Sequence, residues 1–165
     1  MIATRKLVPE DVVIFRSIRL EGLARHPENF GAALEEEARL TMSDFAARIE
    51  NNAVFGAFKR GQLVGVAGLR RSPLLRQNHK AYLWGMYVRP AARGSGAGAS
   101  LLEDAIEQAR GDVSLIQLNV ATSNDGARRL YERYGFEQYG IEVDACRIDG
   151  RSIDDILMVK RLDEG

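Results

Sequence analysis

The chain has almost none of the residues that build disulfide-linked or zinc-stapled domains. Its 165 residues include one cysteine, Cys146, and two histidines. A single thiol cannot form an internal disulfide, and this set of ligands is too small for a structural zinc site. The sequence also lacks a signal-peptide pattern at its start. These absences predict a reducing, cytoplasmic location and no bound metal.

Long apolar runs and an excess of one charge are missing as well. No apolar stretch approaches the length of a membrane span. The 23 basic and 23 acidic residues give a formal net charge of zero. We therefore expect no membrane and no nucleic acid as a partner. Since repeats, low-complexity segments and linkers are absent too, residues 1–165 are predicted to form a single domain.

What is present is an alternation of strand-like and helix-like segments. Apolar runs predict strands at 2–8, 54–59, 63–69, 79–88, 113–121, 136–147 and 152–162. Helical spacing predicts helices after Pro9, after Thr41 or Ser43, after the glycines near position 96, and after Asn124. Turn residues at 59–62 and 149–150 indicate antiparallel hairpins, and Gly85 indicates a bulge or a close approach to the backbone. The predicted fold is therefore a mixed α/β domain, with a mostly antiparallel central sheet and helices on both faces.

The most informative stretch joins the apolar run that ends at Val88 to the following helix. It contains Arg93-Gly94-Ser95-Gly96-Ala97-Gly98, with glycine at alternate positions. Glycine lets a ligand approach the backbone closely, and the start of a helix offers free N–H groups and the positive end of the helix dipole. This combination predicts a site for pyrophosphate.

Other interpretations of this glycine loop are a purely structural turn and two different nucleotide motifs. A P-loop would need lysine and Ser/Thr after the last glycine, whereas Ala99-Ser100 follows here. The dinucleotide pattern is formally matched by Gly94, Gly96 and Ala99, with Asp112 downstream. That pattern normally opens a series of parallel β-α-β units, but antiparallel hairpin signals surround it in this chain.

Two motifs together resemble the GNAT acetyltransferase superfamily. Arg93 to Gly98 is similar to the acyl-CoA loop of that family, Arg/Gln-x-x-Gly-x-Gly/Ala. The segment 124–136, NDGARRLYERYGF, is similar to its N-x-x-A-x-x-L-Y-x-x-x-G-F signature. The resemblance implies a sheet whose fourth and fifth strands splay apart to admit the pantetheine arm of acetyl-CoA. It also implies an acetyl-CoA-dependent N-acetyltransferase that acts on a small amine or peptide amine, with a homodimer by analogy.

The resemblance assigns cofactor-binding roles to three segments. The loop would hold the pyrophosphate, the edge of the fourth strand would pair with pantetheine, and Asn124 would add a hydrogen bond to the same arm. The implied residues are Met86, Tyr87, Val88, Arg93, Gly94, Ser95, Gly96, Ala97, Gly98, Ala99, Asn124 and Tyr131.

Tyr131 occupies the position of the family's general acid, and Tyr134 is the alternative. A phenol with a pKa of about 10 is protonated at neutral pH and can donate to the leaving thiolate. By itself, the spacing favours an aromatic side chain on the buried face of a short helix.

The sequence does not single out a general base. Many family members place a glutamate in the central strand, but residues 81–87, AYLWGMY, contain no carboxylate. Deprotonation relayed by water is one option. The candidate carboxylates are Glu142, Asp144 and Glu35 to Glu37, each of which is also a typical surface carboxylate. The three glutamates could instead form an acidic rim that attracts a cationic amine. Asp154 and Asp155 either line the acceptor pocket or face solvent.

The predicted function is direct transfer of an acetyl group from acetyl-CoA to a primary amine in a ternary complex. No motif surrounds Cys146, and direct transfer needs no acyl-enzyme, so no nucleophile is expected. Two alternatives stay open. One is a non-catalytic module that binds acyl-CoA, and the other is a NAD-dependent oxidoreductase that uses the dinucleotide pattern.

Overall fold

The computed structural model describes residues 1–162, which form seven strands and five α-helices. The strands are β1 (Ile2–Lys6), β2 (Ala53–Lys59), β3 (Gln62–Arg71), β4 (Lys80–Val88), β5 (Leu115–Ala121), β6 (Glu137–Ile148) and β7 (Arg151–Arg161). The helices are α1 (Val12–Arg25), α2 (Leu34–Glu37), α3 (Met42–Asn51), α4 (Ala97–Ala109) and α5 (Asp125–Arg133). All the predicted strands and helices are present, and the four-residue α2 is additional.

The strands form one sheet in the order β1-β2-β3-β4-β5-β7-β6. The β4–β5 pair is parallel, and the other neighbouring pairs are antiparallel. This arrangement confirms the predicted mixed, mostly antiparallel sheet. The predicted hairpin at Asp149-Gly150 is also confirmed, because both residues have positive φ angles, 50° and 77°.

Each face of the sheet carries its own hydrophobic core. On one face, α4 and α5 contribute Leu101, Leu102 and Tyr131 to a cluster with the strands. On the other face, α1 and α3 contribute Phe15, Ile18 and other apolar residues to a second cluster. Helices therefore cover both faces, as the sequence predicts.

Local signals explain where the helices begin and end. Thr41 accepts a hydrogen bond from the backbone N–H of Asp44, and the Asp44 carboxylate accepts one from the Thr41 N–H. This capping box starts α3. His26 is the C-cap of α1, just before Pro27, where the sequence predicts the helix to end. Among the helices formed by residues 1–162, none combines the length and hydropathy that crossing a bilayer requires.

The interpretation of the three glutamates as a solvated face is wrong for Glu37. Its side chain is buried and accepts hydrogen bonds from Arg19 at 3.0 and 3.2 Å and from Arg48 at 2.9 and 3.3 Å. Burial alone would raise its pKa, but the hydrogen bonds from the two guanidinium groups outweigh burial and lower it. Glu37 therefore joins α2 to α1 and α3, while Glu35 and Glu36 stay exposed.

Candidate active site

The glycine loop turns from β4 into α4 by using left-handed backbone conformations. Gly94 has a φ of 77°, and Gly96, the N-cap of α4, has a φ of 89°. Residues that have a side chain rarely adopt these φ angles, which explains the requirement for glycine at both positions. A Cβ atom at either position would meet no atom within 4 Å, so the space in front of the loop is open.

The backbone N–H groups of this loop are available to a ligand. Within residues 1–162, the N–H groups of Gly94 and Gly96 meet no hydrogen-bond acceptor. The first N–H groups of α4 have no partner inside the helix because of the helical geometry, and they carry the positive end of the helix dipole. The loop can therefore bind phosphate oxygens without a lysine.

Gly98 has a different role from the other two glycines. It lies in the first turn of α4, where a Cβ atom would come within 3.3 Å of the Leu130 side chain on α5. Its lack of a side chain lets α4 and α5 pack closely beside the loop.

Strands β4 and β5 separate immediately after a short paired segment. They pair only from Lys80↔Leu115 to Tyr82↔Gln117. Further along β4, the register with β3 shifts at Gly85, whose φ is 68°. This predicted bulge bends the strand. The edge of β4 from residue 83 to 88 therefore faces β5 without pairing, which is the divergence that the family resemblance implies.

A cavity of about 840 Å³ lies between the end of β4, the glycine loop and the start of α5. Ten of the predicted cofactor residues line it: Met86, Tyr87, Val88, Arg93, Gly94, Gly96, Ala97, Gly98, Ala99 and Asn124. Ser95 and Tyr131 are not among the lining residues. The Ser95 hydroxyl instead donates to the Ala92 carbonyl oxygen and closes the loop internally.

Tyr131 lies in the core behind this cavity rather than in its wall. Its side chain packs edge-on against Phe136, with ring centroids 5.8 Å apart, and 5% of the residue is exposed. Its hydroxyl makes no hydrogen bond within residues 1–162. Burial, with a smaller contribution from Tyr82, raises the pKa of Tyr131 well above its usual value, so this phenol stays protonated.

Asn124 begins α5 and faces the cavity. Its Oδ1 accepts a long hydrogen bond of 3.4 Å from the Ala127 N–H. As an N-cap it fixes the start of the helix, and its side-chain NH₂ group can still donate to a ligand. Tyr134, the alternative acid, donates its hydroxyl to Glu103 at the surface and does not line the cavity.

Side chains that the sequence does not single out complete the wall of the cavity. They include His26, Glu28, Asn29 and Phe30 from the segment after α1, and Arg133 from the end of α5. Arg93 donates to the Val88 carbonyl oxygen at 3.3 Å, and its Nη2 lies 2.9 Å from His26 Nε2. Only the tertiary structure brings His26 to the loop, because the two residues lie 67 positions apart in the chain.

Tyr87 connects the same end of β4 to α1. Its hydroxyl donates to Glu21 at 2.7 Å, and Arg89 lies 3.1 Å from the same carboxylate. Burial and the hydrogen bond to Glu21 raise the pKa of Tyr87 to about 12. These contacts join α1 to the strand edge that borders the cavity.

The features of this cavity suit an acyl-CoA. Free N–H groups at a helix start and the guanidinium groups of Arg93 and Arg133 complement phosphates, and the unpaired edge of β4 can bind a chain of amides. The dinucleotide alternative lacks this support, because Asp112 pairs with Arg71 at 2.9 Å and does not line the cavity. Within residues 1–162, no group of three or more His, Cys, Asp or Glu side chains is arranged to hold a metal ion.

A second cavity of about 580 Å³ lies between the segment that leads into α2 and the end of β6. Glu35 and Glu36 line it, as do Cys146, Arg147 and Asp149. Phe30 lines both this cavity and the cavity beside the glycine loop, so the two are neighbours.

The structure narrows the choice of general base. The Asp144 carboxylate accepts hydrogen bonds from Arg147 and Ser152, which lower its pKa. Glu37 is held by two arginines. Neither group is a suitable proton acceptor, whereas Glu142 has no cationic partner among the described residues.

Comparison with known proteins assigns the chain to a family. Residues 18–136 match the Acetyltransferase (GNAT) family. The chain therefore belongs to this family, and the class predicted from the two motifs is confirmed, namely acetyltransferases that use acetyl-CoA.

Individual relatives agree with this assignment. The chain is 36% identical over 104 residues to N-alpha-acetyltransferase RimI of Mycobacterium tuberculosis, and the match covers 61% of either chain. A ribosomal-protein-alanine N-acetyltransferase from Brucella melitensis has a TM-score of 0.85 at 25% identity, with 97% of this chain and 99% of that one covered. A GNAT-family acetyltransferase from Streptococcus pneumoniae shares the fold, with a TM-score of 0.87 at 24% identity and coverage of 98% and 99%.

Proposed function

We propose that this protein transfers the acetyl group of acetyl-CoA directly to the α-amino group at the N-terminus of a peptide or protein. The observation that carries the proposal is the cavity beside the glycine loop, which joins free N–H groups at a helix start to the part of the β4 edge that β5 leaves unpaired. The similarity to RimI and to the Brucella melitensis enzyme, both named for N-terminal or alanine acetylation, favours a peptide amine over a small-molecule amine.

The second cavity supports a cationic acceptor. Glu35, Glu36 and Asp149 contribute carboxylates to its lining, and the guanidinium of Arg147 is already paired with Asp144 at 2.6 Å. An ammonium group would therefore meet a negative wall next to the cofactor cavity. This is the acidic rim that the sequence offers as one interpretation of Glu35 and Glu36.

Direct transfer fits the state of the single thiol. Burial and the nearby charges of Asp155 and Glu142 raise the pKa of Cys146. The thiolate form is thereby disfavoured, so Cys146 is a poor nucleophile for an acyl-enzyme. We assign the thiolate-protonating role to Tyr131, whose side chain is mostly buried and protonated, and whose hydroxyl has no hydrogen-bond partner among the described residues.

The proposal includes the cytoplasmic location and the homodimer expected from the sequence. The edge strand β6 exposes Ile141 and Val143, at 50% and 76%, which supports pairing with a second copy. Light scattering of the purified protein would test the dimer.

The test of function is an acetylation assay with short synthetic peptides. We expect release of CoA thiol with peptides that carry a free α-amine and none with the same peptides acetylated at the N-terminus. Mass spectrometry should place the acetyl group on the α-nitrogen. Turnover with small polyamines but with no peptide would contradict the peptide assignment, and tight acetyl-CoA binding without any turnover would favour a non-catalytic module.

A further inference from the structure

We propose that Asp155 is the general base that removes a proton from the acceptor amine, and that Asn119 holds it in place. The inference rests on the proposed function and concerns a role that the sequence leaves unassigned. It starts from the strand register around the divergence of β4 and β5.

Several polar side chains share the sheet face that carries α1 and α3. Gln117 is the last β5 residue paired with β4, and Asn119 is the next residue of β5 on the same face. Across the sheet, Asp155 lies opposite Ala121 on β5 and opposite Glu142 on β6, so both carboxylates belong to this face. The carboxylates therefore lie beside the point where the strands separate.

Asn119 joins the two carboxylates. Its Nδ2 donates to Glu142 Oε1 at 3.1 Å and lies 3.4 Å from Asp155 Oδ2. Asp155 is half-buried, whereas Glu142 is exposed. Among the described residues, no lysine or arginine forms an ion pair with Asp155 or Glu142. The pair thus presents uncompensated negative charge, which an ammonium group would neutralise.

The proposed proton donor for the leaving thiolate is the hydroxyl of Tyr131, which has no hydrogen-bond partner among the described residues. This residue is buried, and its electrostatic neighbour is Tyr82, the last β4 residue paired with β5. Tyr82 in turn interacts with Asp155 and Glu142. A proton donor and a proton acceptor therefore lie on the two sides of the strand divergence.

The surroundings of Asp155 make its carboxylate a stronger base than an ordinary carboxylate. Burial raises its pKa, and the charges of Glu142 and Asp154 add to this, while the hydrogen bond to Asn119 opposes it. The titratable groups near it are Glu142, Asp154, Tyr82 and Cys146, and none is a cation. The raised pKa makes this carboxylate a stronger base than an ordinary aspartate.

The proposed step is balanced without another reactant. The ammonium proton passes to the Asp155 carboxylate, and the amine lone pair forms a C–N bond with the thioester carbon. The C–S bond breaks, its electron pair leaves on sulfur, and Tyr131 protonates the thiolate. The second amine proton and the proton held by Asp155 are then released to solvent, and the Tyr131 phenolate regains a proton from solvent, so that one proton is released for each acetyl group transferred.

The deciding experiment measures how kcat/KM for a reactive peptide depends on pH. It compares the wild type with Asp155→Asn, and Glu137→Gln, at an exposed position of β6, is the control. In the proposed step, Asp155 has taken the proton of the ammonium group and still holds it in the transition state. The wild-type kcat/KM should therefore not change with pH between the pKa of Asp155 and the pKa of the amine, which is about 8. In Asp155→Asn the rate should fall by about 10²-fold and rise with pH up to the pKa of the amine. Glu137→Gln should behave like wild type.

A second variant keeps the test decisive if Asp155→Asn folds poorly. Glu142→Gln removes a neighbouring negative charge, so the acidic limb of the profile should move to lower pH while turnover persists. An unchanged limb, or an Asp155→Asn profile of wild-type shape, would overturn the assignment of Asp155. Absence of turnover by the wild type would instead contradict the proposed function, so the two failures are distinguishable.

Discussion

At the scale of single residues, the loop needs glycine because of its backbone conformation and not because a side chain would lack space. Gly94 and Gly96 have positive φ angles, but a Cβ atom at either position would have no neighbour within 4 Å. A bulkier residue would therefore alter the shape of the loop without clashing. Ligand binding at such a loop requires its N–H groups to point in fixed directions.

Gly96→Val should abolish acetyl-CoA binding while the protein still folds. The positive φ imposes a strain of about 1–3 kcal/mol on valine, which the loop relieves by rotating its N–H groups away from the phosphate position. Gly61→Val is the matched control, because Gly61 has a φ of 78°, the same open surroundings, and a location in the β2–β3 turn. Isothermal titration calorimetry should show normal affinity in the control. Normal affinity in folded Gly96→Val would refute the phosphate-binding role of the loop.

The hydroxyl of Tyr131 permits an equally simple test. Tyr131→Phe removes one oxygen that has no hydrogen-bond partner among the described residues, so stability should change little, whereas kcat should fall by about 10²-fold or more. Tyr134→Phe is the control, since its hydroxyl contacts Glu103 at the surface. Steady-state kinetics with a reactive peptide checks this, and equal rates in both variants would leave Tyr131 a structural role only.

At the scale of elements, the short helix α2 is stabilised by ion pairs with neighbouring helices and not only by hydrogen bonds along its own length. Its four residues are too few for a stable isolated helix. The Arg19–Glu37–Arg48 contacts attach α2 to α1 and α3, and α2 borders the second cavity. The wall of the proposed acceptor site therefore depends on one buried carboxylate.

Glu37→Gln should destabilise the protein by about 3 kcal/mol, because the buried Arg19 and the half-buried Arg48 lose their counter-charge. Glu36→Gln, at the exposed neighbouring position, should change stability by less than about 0.5 kcal/mol. Urea unfolding measures both. The lowered pKa of Glu37 also has a defined sign: its contribution exists above the unfolded pKa and is lost as pH falls through the lower, folded pKa. The difference between wild type and Glu37→Gln should therefore shrink in acid, and a pH-independent difference would contradict this account.

At the scale of the whole molecule, the cavity beside the glycine loop connects parts of the chain that the sheet itself does not join. Its wall includes the end of β4, the start of α4, the start of α5 and the segment after α1. A ligand that contacts all four should stabilise the native state as a whole.

Acetyl-CoA and free CoA should both raise Tm, and NADH should not. At a ligand concentration of a hundred times Kd the stabilisation is about 2.7 kcal/mol, which corresponds to roughly 5–10 °C for a chain of this size. Thermal-shift measurements with the three ligands provide the comparison. Stabilisation by NADH alone would contradict the assignment of this cavity to acyl-CoA.

Much of the fold and the loop could be predicted because their signals are local. The capping residue Thr41, the turn at Asp149-Gly150 and the bulge at Gly85 each depend on backbone preferences of neighbouring residues. The two motifs likewise lie in short continuous segments, and ten of the twelve predicted cofactor residues line the cavity.

Other features required the packed molecule. Glu37 looks like part of a solvated charge run until Arg19 and Arg48, on different helices, are brought to it. Tyr131 occupies a motif position, but its burial behind the cavity depends on how α5 packs against the sheet.

By itself, the sequence determined the kinds of elements, their order, the glycine loop and the family, since each is encoded by residues close together in the chain. The tertiary structure alone decided where β4 and β5 separate, which cavity adjoins the cofactor site, and that Asn119, Glu142 and Asp155 meet at the divergence. The physical reason is register: which residues face each other across a sheet is fixed by the packing of both faces, and no local preference encodes it.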